Sequence, residues 1–126
     1  MKKKILIVDD EKDFAQLVKM NLELTGKYEV KIENEGANAL NAAKEYKPDL
    51  ILLDIVMPDV PGGKIAQNLK ENPLTRDIPI VFLTALVTKD EVPQEKIIAG
   101  HPFLSKPVNI DELIKVIEEN IKKEST

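Results

Sequence analysis

The sequence lacks the residues from which many metal and redox sites are built. Its 126 residues include no cysteine, no tryptophan and a single histidine, His101. A disulfide framework and a thiolate metal site are therefore excluded, and one imidazole cannot form a histidine metal site alone. The remaining candidates for site chemistry are carboxylates, hydroxyls and amines.

Long hydrophobic runs and an excess of positive charge are also missing. After the basic N-terminal residues, only Ile5 to Val8 are apolar before Asp9, which is too short for a signal peptide or a membrane span. Eighteen Lys and Arg against 22 Asp and Glu give a net charge of −4, which argues against nonspecific nucleic-acid or anionic-membrane binding. We expect a cytoplasmic protein that binds neither directly, folded as a single domain over residues 1–126.

What the sequence does contain is a series of short apolar runs separated by helical patterns. Strands are predicted at 4–8, 28–32, 49–53, 80–83 and 103–105, and helices at about 14–25, 36–46, 65–72, 90–99 and 110–121. Five strands alternating with five helices predict an α/β fold with a parallel sheet covered on both faces. We expect the flavodoxin-like (βα)5 three-layer sandwich with strand order 2-1-3-4-5.

Polar residues occur at the carboxyl ends of four predicted strands. Asp9 and Asp10 follow the first strand, Asp54 the third, Thr84 the fourth and Lys106 the fifth. Each alone has an ordinary explanation, such as a turn, a helix cap or a solvated lysine. Because ligands of open α/β sheets bind at this edge, their joint placement predicts one functional site.

The residue types at this edge favour phosphoryl transfer. Converging carboxylates repel one another, by roughly 4 kcal/mol for a pair 4 Å apart at an effective dielectric constant of about 20. A hard divalent cation relieves this repulsion, and ligands that are all oxygens suit Mg²⁺. The Lys106 ammonium and the Thr84 hydroxyl would then surround a bound anion. We interpret Asp54 as the nucleophile of this site.

Four motifs and a glycine pair carry a resemblance that covers essentially the whole chain: ILIVDDE at 5–11, DLILLDIVMP at 49–58, the glycines at 62–63, PIVFLTA at 79–85 and FLSKP at 103–107. Together they resemble the receiver domain of bacterial two-component response regulators, either stand-alone or part of a longer regulator or hybrid kinase. The resemblance implies that Asp54 accepts a phosphoryl group from a phosphohistidine on a sensor histidine kinase or histidine phosphotransfer protein.

The resemblance also assigns the surrounding residues. Asp10 and Asp54 would bind Mg²⁺ directly together with the backbone carbonyl of Val56, and Asp9 would act mainly through water. Thr84 and Lys106 would hold the phosphoryl oxygens. A cis peptide bond is implied between Lys106 and Pro107.

The resemblance to receiver domains also implies a two-state switch. Phosphorylation would draw the Thr84 hydroxyl inward, and Phe103, which can act only by packing, would follow. The face formed by the fourth helix, fifth strand and fifth helix would then change its affinity for a downstream protein target or an output domain outside this chain. Such a chain is a phosphoacceptor signalling domain that assists its own phosphorylation and slow autodephosphorylation, and not an enzyme.

The sequence departs from many relatives beside the acceptor. Val56 and Leu86 are apolar where those relatives carry polar side chains along the path of the hydrolytic water. We hypothesise that neither offers this water a partner and that autodephosphorylation is slow. The segment at 100–102, Gly-His-Pro, also differs and predicts a stiffer loop on the output face.

Three other interpretations compete. A flavodoxin-like nucleotide binder needs a phosphate loop after the first strand, where this chain has three acids. A phosphatase with an aspartyl nucleophile needs a second acid at position 56, where Val56 lies. A pseudo-receiver that only docks proteins remains open as the alternative. The chain nevertheless has all five residues of a competent site: Asp9, Asp10, Asp54, Thr84 and Lys106.

Overall fold

Six strands and four α-helices form the part of the chain that the computed structural model describes, which is residues 2–85, 97–98 and 100–124. The strands are β1 (Lys3–Val8), β2 (Tyr28–Glu33), β3 (Leu50–Asp54), β4 (Ile80–Thr84), β5 (Ile97–Ile98) and β6 (His101–Ser105). The helices are α1 (Lys12–Leu24), α2 (Ala39–Tyr46), α3 (Gly62–Glu71) and α4 (Ile110–Glu124), with a 3₁₀ turn at Gly36–Asn38.

One sheet contains all six strands in the order β2-β1-β3-β4-β6-β5. The five longer strands are parallel, and β6 is the fifth of them along the chain. The predicted flavodoxin-like order 2-1-3-4-5 is therefore confirmed. Runs of branched apolar residues explain the central strands, because a strand covered on both faces needs no polar side.

The sheet separates two apolar layers, since successive side chains of a strand point to opposite faces. Ile5, Ile7, Leu50 and Leu52 face one layer, which α1 and α4 complete. The intervening residues face the other layer, which α2 and α3 complete with many small side chains: Ala39, Ala42, Ala43 and Ala66 pack there against Leu6, Val8, Ile51, Leu53, Phe82 and Phe103. Small helix residues let these helices lie close to a sheet face that carries two phenylalanines.

The structure describes two residues of the helix predicted over 90–99, and the prediction is wrong at both. Ile97 and Ile98 form β5, which pairs antiparallel with β6, and Gly100 between them has a φ of +82°. β-branched residues favour strands, and a positive φ at glycine suits a tight hairpin turn. The rest of that prediction lies outside the described residues, as does the Leu86 position.

In the described part of the chain, no helix combines the length and the apolar character needed to span a bilayer.

Candidate functional site

Strand alternation brings three charged side chains to one end of the sheet. Asp54, the last residue of β3, lies on the same face of the sheet as Leu50 and Leu52 by strand alternation. Asp9, just beyond β1, lies on the same face as Ile5 and Ile7. Lys106, just beyond β6, occupies the equivalent position. Because all three follow the same alternation at the same edge, their side chains converge.

Lys106 is the cation at the centre of this group. Its Nζ lies 2.8 Å from Asp9 Oδ2, 2.6 Å from Glu11 Oε1 and 3.6 Å from Asp54 Oδ2. It also lies 4.4 Å from the centre of the Phe14 ring, close enough for a cation–π contact. The sequence predicts Lys106 beside Asp9, Asp10 and Asp54, and the structure shows it beside Asp9 and Asp54. The peptide bond to Pro107 is cis, as expected.

Asp54 is a buried carboxylate with few partners. Its Oδ1 accepts one hydrogen bond, at 3.2 Å, from the backbone N–H of Val56. Burial, followed by the negative charge of Asp9, raises the pKa of Asp54 to about 6, although Lys106 opposes the shift. The carboxylate is still mostly ionised at neutral pH, and its loss of hydration leaves it readily available to an electrophile.

The other two members of the group have shifted pKa values as well. Burial raises the pKa of Asp9, although a hydrogen bond and the charge of Lys106 act against it. For Lys106, burial acts to lower the pKa, but the carboxylates of Asp9 and Glu11 outweigh burial and hold the pKa above its ordinary value. Lys106 is therefore a permanent cation in a buried setting.

The loop after Asp54 is held by backbone contacts. Gly62, the first residue of α3, donates its N–H to the Ile55 carbonyl at 2.8 Å. A Cβ at Gly62 would lie 2.4 Å from the Asp54 carbonyl oxygen, so only glycine fits there. The carboxylate of Asp59 accepts hydrogen bonds from the backbone N–H groups of Gly36 and Ala37, which ties the loop to the 3₁₀ turn before α2.

A metal ion would find a ligand set made only of oxygens. Among the described residues, Asp9, Glu11 and Asp54 each place a carboxylate oxygen within 4.8 Å of the others. Three carboxylates face one ammonium, and a divalent cation would neutralise the remaining charge, so the residues present fit Mg²⁺. Asp10, which is half-buried, is not in this group, and the direct role predicted for it stays a prediction.

Glu11 is the site residue that the sequence analysis missed. It is visible in the sequence only as the third acid of the run after β1, and its reach to Lys106 spans 95 positions of the chain. Glu11 stands directly before α1 with an extended backbone, and its carboxylate contacts Lys106 just beyond β6. The sequence shows the acid but not the direction of its side chain.

Thr84 and Phe103 lie on β4 and β6, the two strands that follow β3 in the sheet. Thr84 is buried at the end of β4, and its carbonyl accepts the Lys106 N–H at 2.8 Å. Phe103 is buried on β6, opposite Phe82 in the register of the two strands. Thr84 and Phe103 are therefore both buried, whereas Val56 is 52% exposed, and the switch roles predicted for Thr84 and Phe103 stay predictions.

Curated proteins of similar sequence are response regulators. DivK of Brucella anthropi, a polar-differentiation response regulator, is 34% identical over 120 residues that cover 94% of this chain and 95% of DivK. RpaA of Synechocystis, a DNA-binding dual master transcriptional regulator, is 32% identical over 120 residues that cover 95% of this chain. The chain spans 49% of RpaA, so about half of that protein has no counterpart in it.

Solved structures of similar shape are receiver domains. A CheY-like receiver domain protein of Methanospirillum hungatei is 27% identical, with a TM-score of 0.84 over 99% of this chain and 98% of that one. The receiver domain of a sensor histidine kinase of Pseudomonas aeruginosa, solved with a magnesium ion coordinated in its active-site cleft, is 26% identical, with a TM-score of 0.82 over 97% and 99%.

The family model described as "Response regulator receiver domain" matches residues 5–118. That span includes every strand of the sheet except two residues of β1, and it contains all of the charged side chains that converge beside Asp54. The chain therefore belongs to the family of response regulator receiver domains of two-component systems.

Proposed function

We propose that the chain accepts a phosphoryl group on Asp54 in a Mg²⁺-dependent reaction and that this modification changes its affinity for a protein partner. The observation that supports this most directly is the buried Asp54 carboxylate, which lies beside Asp9 and 3.6 Å from the Lys106 ammonium. A nucleophile, an acidic pair and a fixed cation at one edge of the sheet are the parts that phosphoryl transfer requires.

In the proposed reaction, a carboxylate oxygen of Asp54 attacks the phosphorus of the donor. The new bond joins this oxygen to phosphorus, and the bond from phosphorus to the donor's leaving atom breaks. The leaving group keeps the electron pair of the broken bond. When the donor is a phosphohistidine, solvent then protonates this leaving group. Lys106 and Thr84 would stabilise the negative charge on the transferred oxygens.

Mg²⁺ bound at this edge would neutralise charge on the phosphoryl oxygens. We propose that Asp9, Asp10 and Asp54, with the backbone carbonyl of Val56, hold it there. The backbone N–H of Val56 keeps one oxygen of Asp54 oriented, and Gly62 fixes the turn that carries both residues. Burial keeps water away from the Asp54 carboxylate before the donor arrives.

The donor in this proposal is a sensor histidine kinase or a histidine phosphotransfer protein. Helix α1 begins directly after the acidic run and exposes Leu17, Met20 and Leu24 on one side. These residues lie three and four positions apart, so they form an apolar stripe that an amphipathic partner helix could cover. A partner on this stripe would reach the site from the N-terminal end of α1, which follows Glu11.

The change in partner affinity would begin at Thr84. Movement of the Thr84 side chain towards the phosphoryl group would repack Phe103, which is buried on the adjacent strand. β6 and the following α4 would transmit this change to a downstream protein target or to an output domain. Receiver domains are signalling domains and not enzymes in the ordinary sense, and slow autodephosphorylation would end the signal.

The first test is the intact mass of the protein after incubation with acetyl phosphate, with and without Mg²⁺. We expect one phosphoryl adduct that requires both Mg²⁺ and Asp54, and that disappears in Asp54→Asn. Asp13→Asn is the matched control, because Asp13 is an exposed carboxylate in the first turn of α1.

The absence of an adduct in the wild-type protein, with Mg²⁺ binding shown separately, would contradict the proposal. That result would favour a docking module that does not accept a phosphoryl group. An adduct that persists in Asp54→Asn would place the acceptor at another residue.

A further inference from the structure

Three carboxylates share the Lys106 ammonium, and they differ in exposure. The shortest contact is to Glu11, at 2.6 Å, and the longest is to Asp54, at 3.6 Å. The Glu11 side chain is 59% exposed, whereas the Asp9 side chain is fully buried and Lys106 itself is 9% exposed. The cation is thus held closest to the carboxylate that can most easily return to water.

We propose that Glu11 is a positioning residue that acts as a removable counter-ion of Lys106. In the unphosphorylated protein it draws the ammonium towards the outer edge of the site. When a phosphoryl group is present on Asp54, Glu11 gives up the ammonium to the phosphoryl oxygens. This inference rests on the proposed function and assigns a role to a residue next to the proposed metal ligands.

The backbone around Glu11 allows this exchange. The Glu11 N–H donates to Asp9 Oδ1 at 2.9 Å, so the main chain stays in place while the side chain can rotate into solvent. Asp9 has no such freedom, because it is fully buried. Rotation of an exposed glutamate about its own side-chain bonds costs little and is fast.

Charge balance gives the direction of the exchange. Conversion of the Asp54 carboxylate to an acyl phosphate adds negative charge at the point where Lys106 already lies 3.6 Å away. The buried phosphoryl oxygens then compete for the ammonium with an exposed carboxylate, which water solvates well. Because water solvates the exposed Glu11 carboxylate once it leaves Lys106, losing this ion pair costs little, and the buried anion prevails.

The same geometry predicts that Glu11 slows phosphorylation by a small anionic donor. It repels the donor and partly neutralises the cation that would receive the transferred oxygens. Glu11→Gln keeps the size and the hydrogen-bonding oxygen but removes the charge. We expect the rate of phosphorylation by acetyl phosphate at saturating Mg²⁺ to rise about two- to fivefold, which corresponds to a weak ion pair with one solvent-exposed partner.

The experiment compares wild type, Glu11→Gln and the charge-matched control Asp13→Asn. Asp13 lies two residues further along, is exposed and has no contact with Lys106 in the described ion pairs. Three quantities are measured on each: the phosphorylation rate, the Mg²⁺ concentration at half-maximal rate, and the NMR signal of the Lys106 ε-methylene group. We expect only Glu11→Gln to raise the rate and to shift the Lys106 signal.

Two results would overturn the inference. A loss of apparent Mg²⁺ affinity in Glu11→Gln that greatly exceeds the loss in Asp13→Asn, together with a slower reaction, would make Glu11 a metal ligand. Equal rates and an unchanged Lys106 signal in both variants would make the ion pair irrelevant. If the wild-type protein forms no adduct, the proposed function fails instead, and the Lys106 signal still reports whether Glu11 holds the ammonium.

Discussion

Along β3, the residues from Leu50 to Leu53 are apolar and fully buried, whereas Asp54, the next residue of the same strand, is a buried carboxylate. The two regions share a backbone, a sheet and nearly the same exposure. They differ in what burial does: it stabilises the leucines and isoleucine, and it raises the free energy of the ionised Asp54. The interior of the sheet therefore provides stability, and its carboxyl edge gives up some of that stability for reactivity.

The largest effect in this comparison should come from the interior. We expect Leu52→Ala to lower the free energy of unfolding by about 2–5 kcal/mol, because it removes buried methyl groups and leaves a cavity. Chemical denaturation followed by circular dichroism measures this. Leu24→Ala is the control, since Leu24 is 82% exposed and its truncation should change stability by less than about 0.5 kcal/mol.

An opposite change is expected at the edge. In the metal-free protein at neutral pH, Asp54→Asn should raise the free energy of unfolding, by at most about 3 kcal/mol, because it removes a buried charge whose pKa is raised to about 6. Thermal denaturation in the presence of a chelator measures this gain. If the variant is less stable than wild type, the buried charge of Asp54 does not destabilise the folded protein.

The stability gain of Asp54→Asn over wild type should increase as the pH rises. Between about pH 4 and pH 6 the folded protein keeps the Asp54 proton that the unfolded chain has lost, so the contribution of Asp54 to the stability of wild type falls as the pH rises. The advantage of Asp54→Asn should therefore be near zero below about pH 4 and complete above about pH 6. Parallel denaturation curves of both proteins across this range test the prediction.

A smaller effect should separate two adjacent glycines. Gly62→Ala places a Cβ against the backbone of Asp54, and we expect a loss of about 1–3 kcal/mol together with slower phosphorylation. Gly63→Ala meets nothing within 4 Å in the same helix and should be neutral or slightly stabilising. Equal behaviour of the two variants in denaturation and phosphorylation assays would show that the close approach has no role at the site.

The smallest predicted change concerns the lifetime of the phosphoryl group. Val56→Asn should speed autodephosphorylation about two- to tenfold. One net hydrogen bond to the attacking water is worth about 0.5–1.5 kcal/mol, and a barrier lowered by that amount gives this increase in rate. Leu74→Asn makes the same kind of change at an exposed position remote from the strand ends and should leave the rate unaltered. The decay of the intact-mass adduct after removal of the donor measures both.

Much of the fold could be predicted because its causes are local. Branched apolar runs mark the strands, and Gly26 and Pro48 mark the ends of helices. The bounds differ by up to three residues, as at the start of α3, and β3 includes Asp54. The two residues of β5 could not be predicted, because a helical pattern and a hairpin edge compete there and pairing with β6 decides the outcome.

The sequence by itself determined which residue types stand at the carboxyl ends of the strands, because side chains alternate and parallel strands end at one edge. Asp9, Asp54, Thr84 and Lys106 follow from that rule. Only the tertiary structure decided how they are used: that Glu11 lies closer to Lys106 than Asp54 does, and that Gly62 touches the backbone of the acceptor. Such distances depend on how helices pack against the sheet, and no local pattern in the chain encodes them.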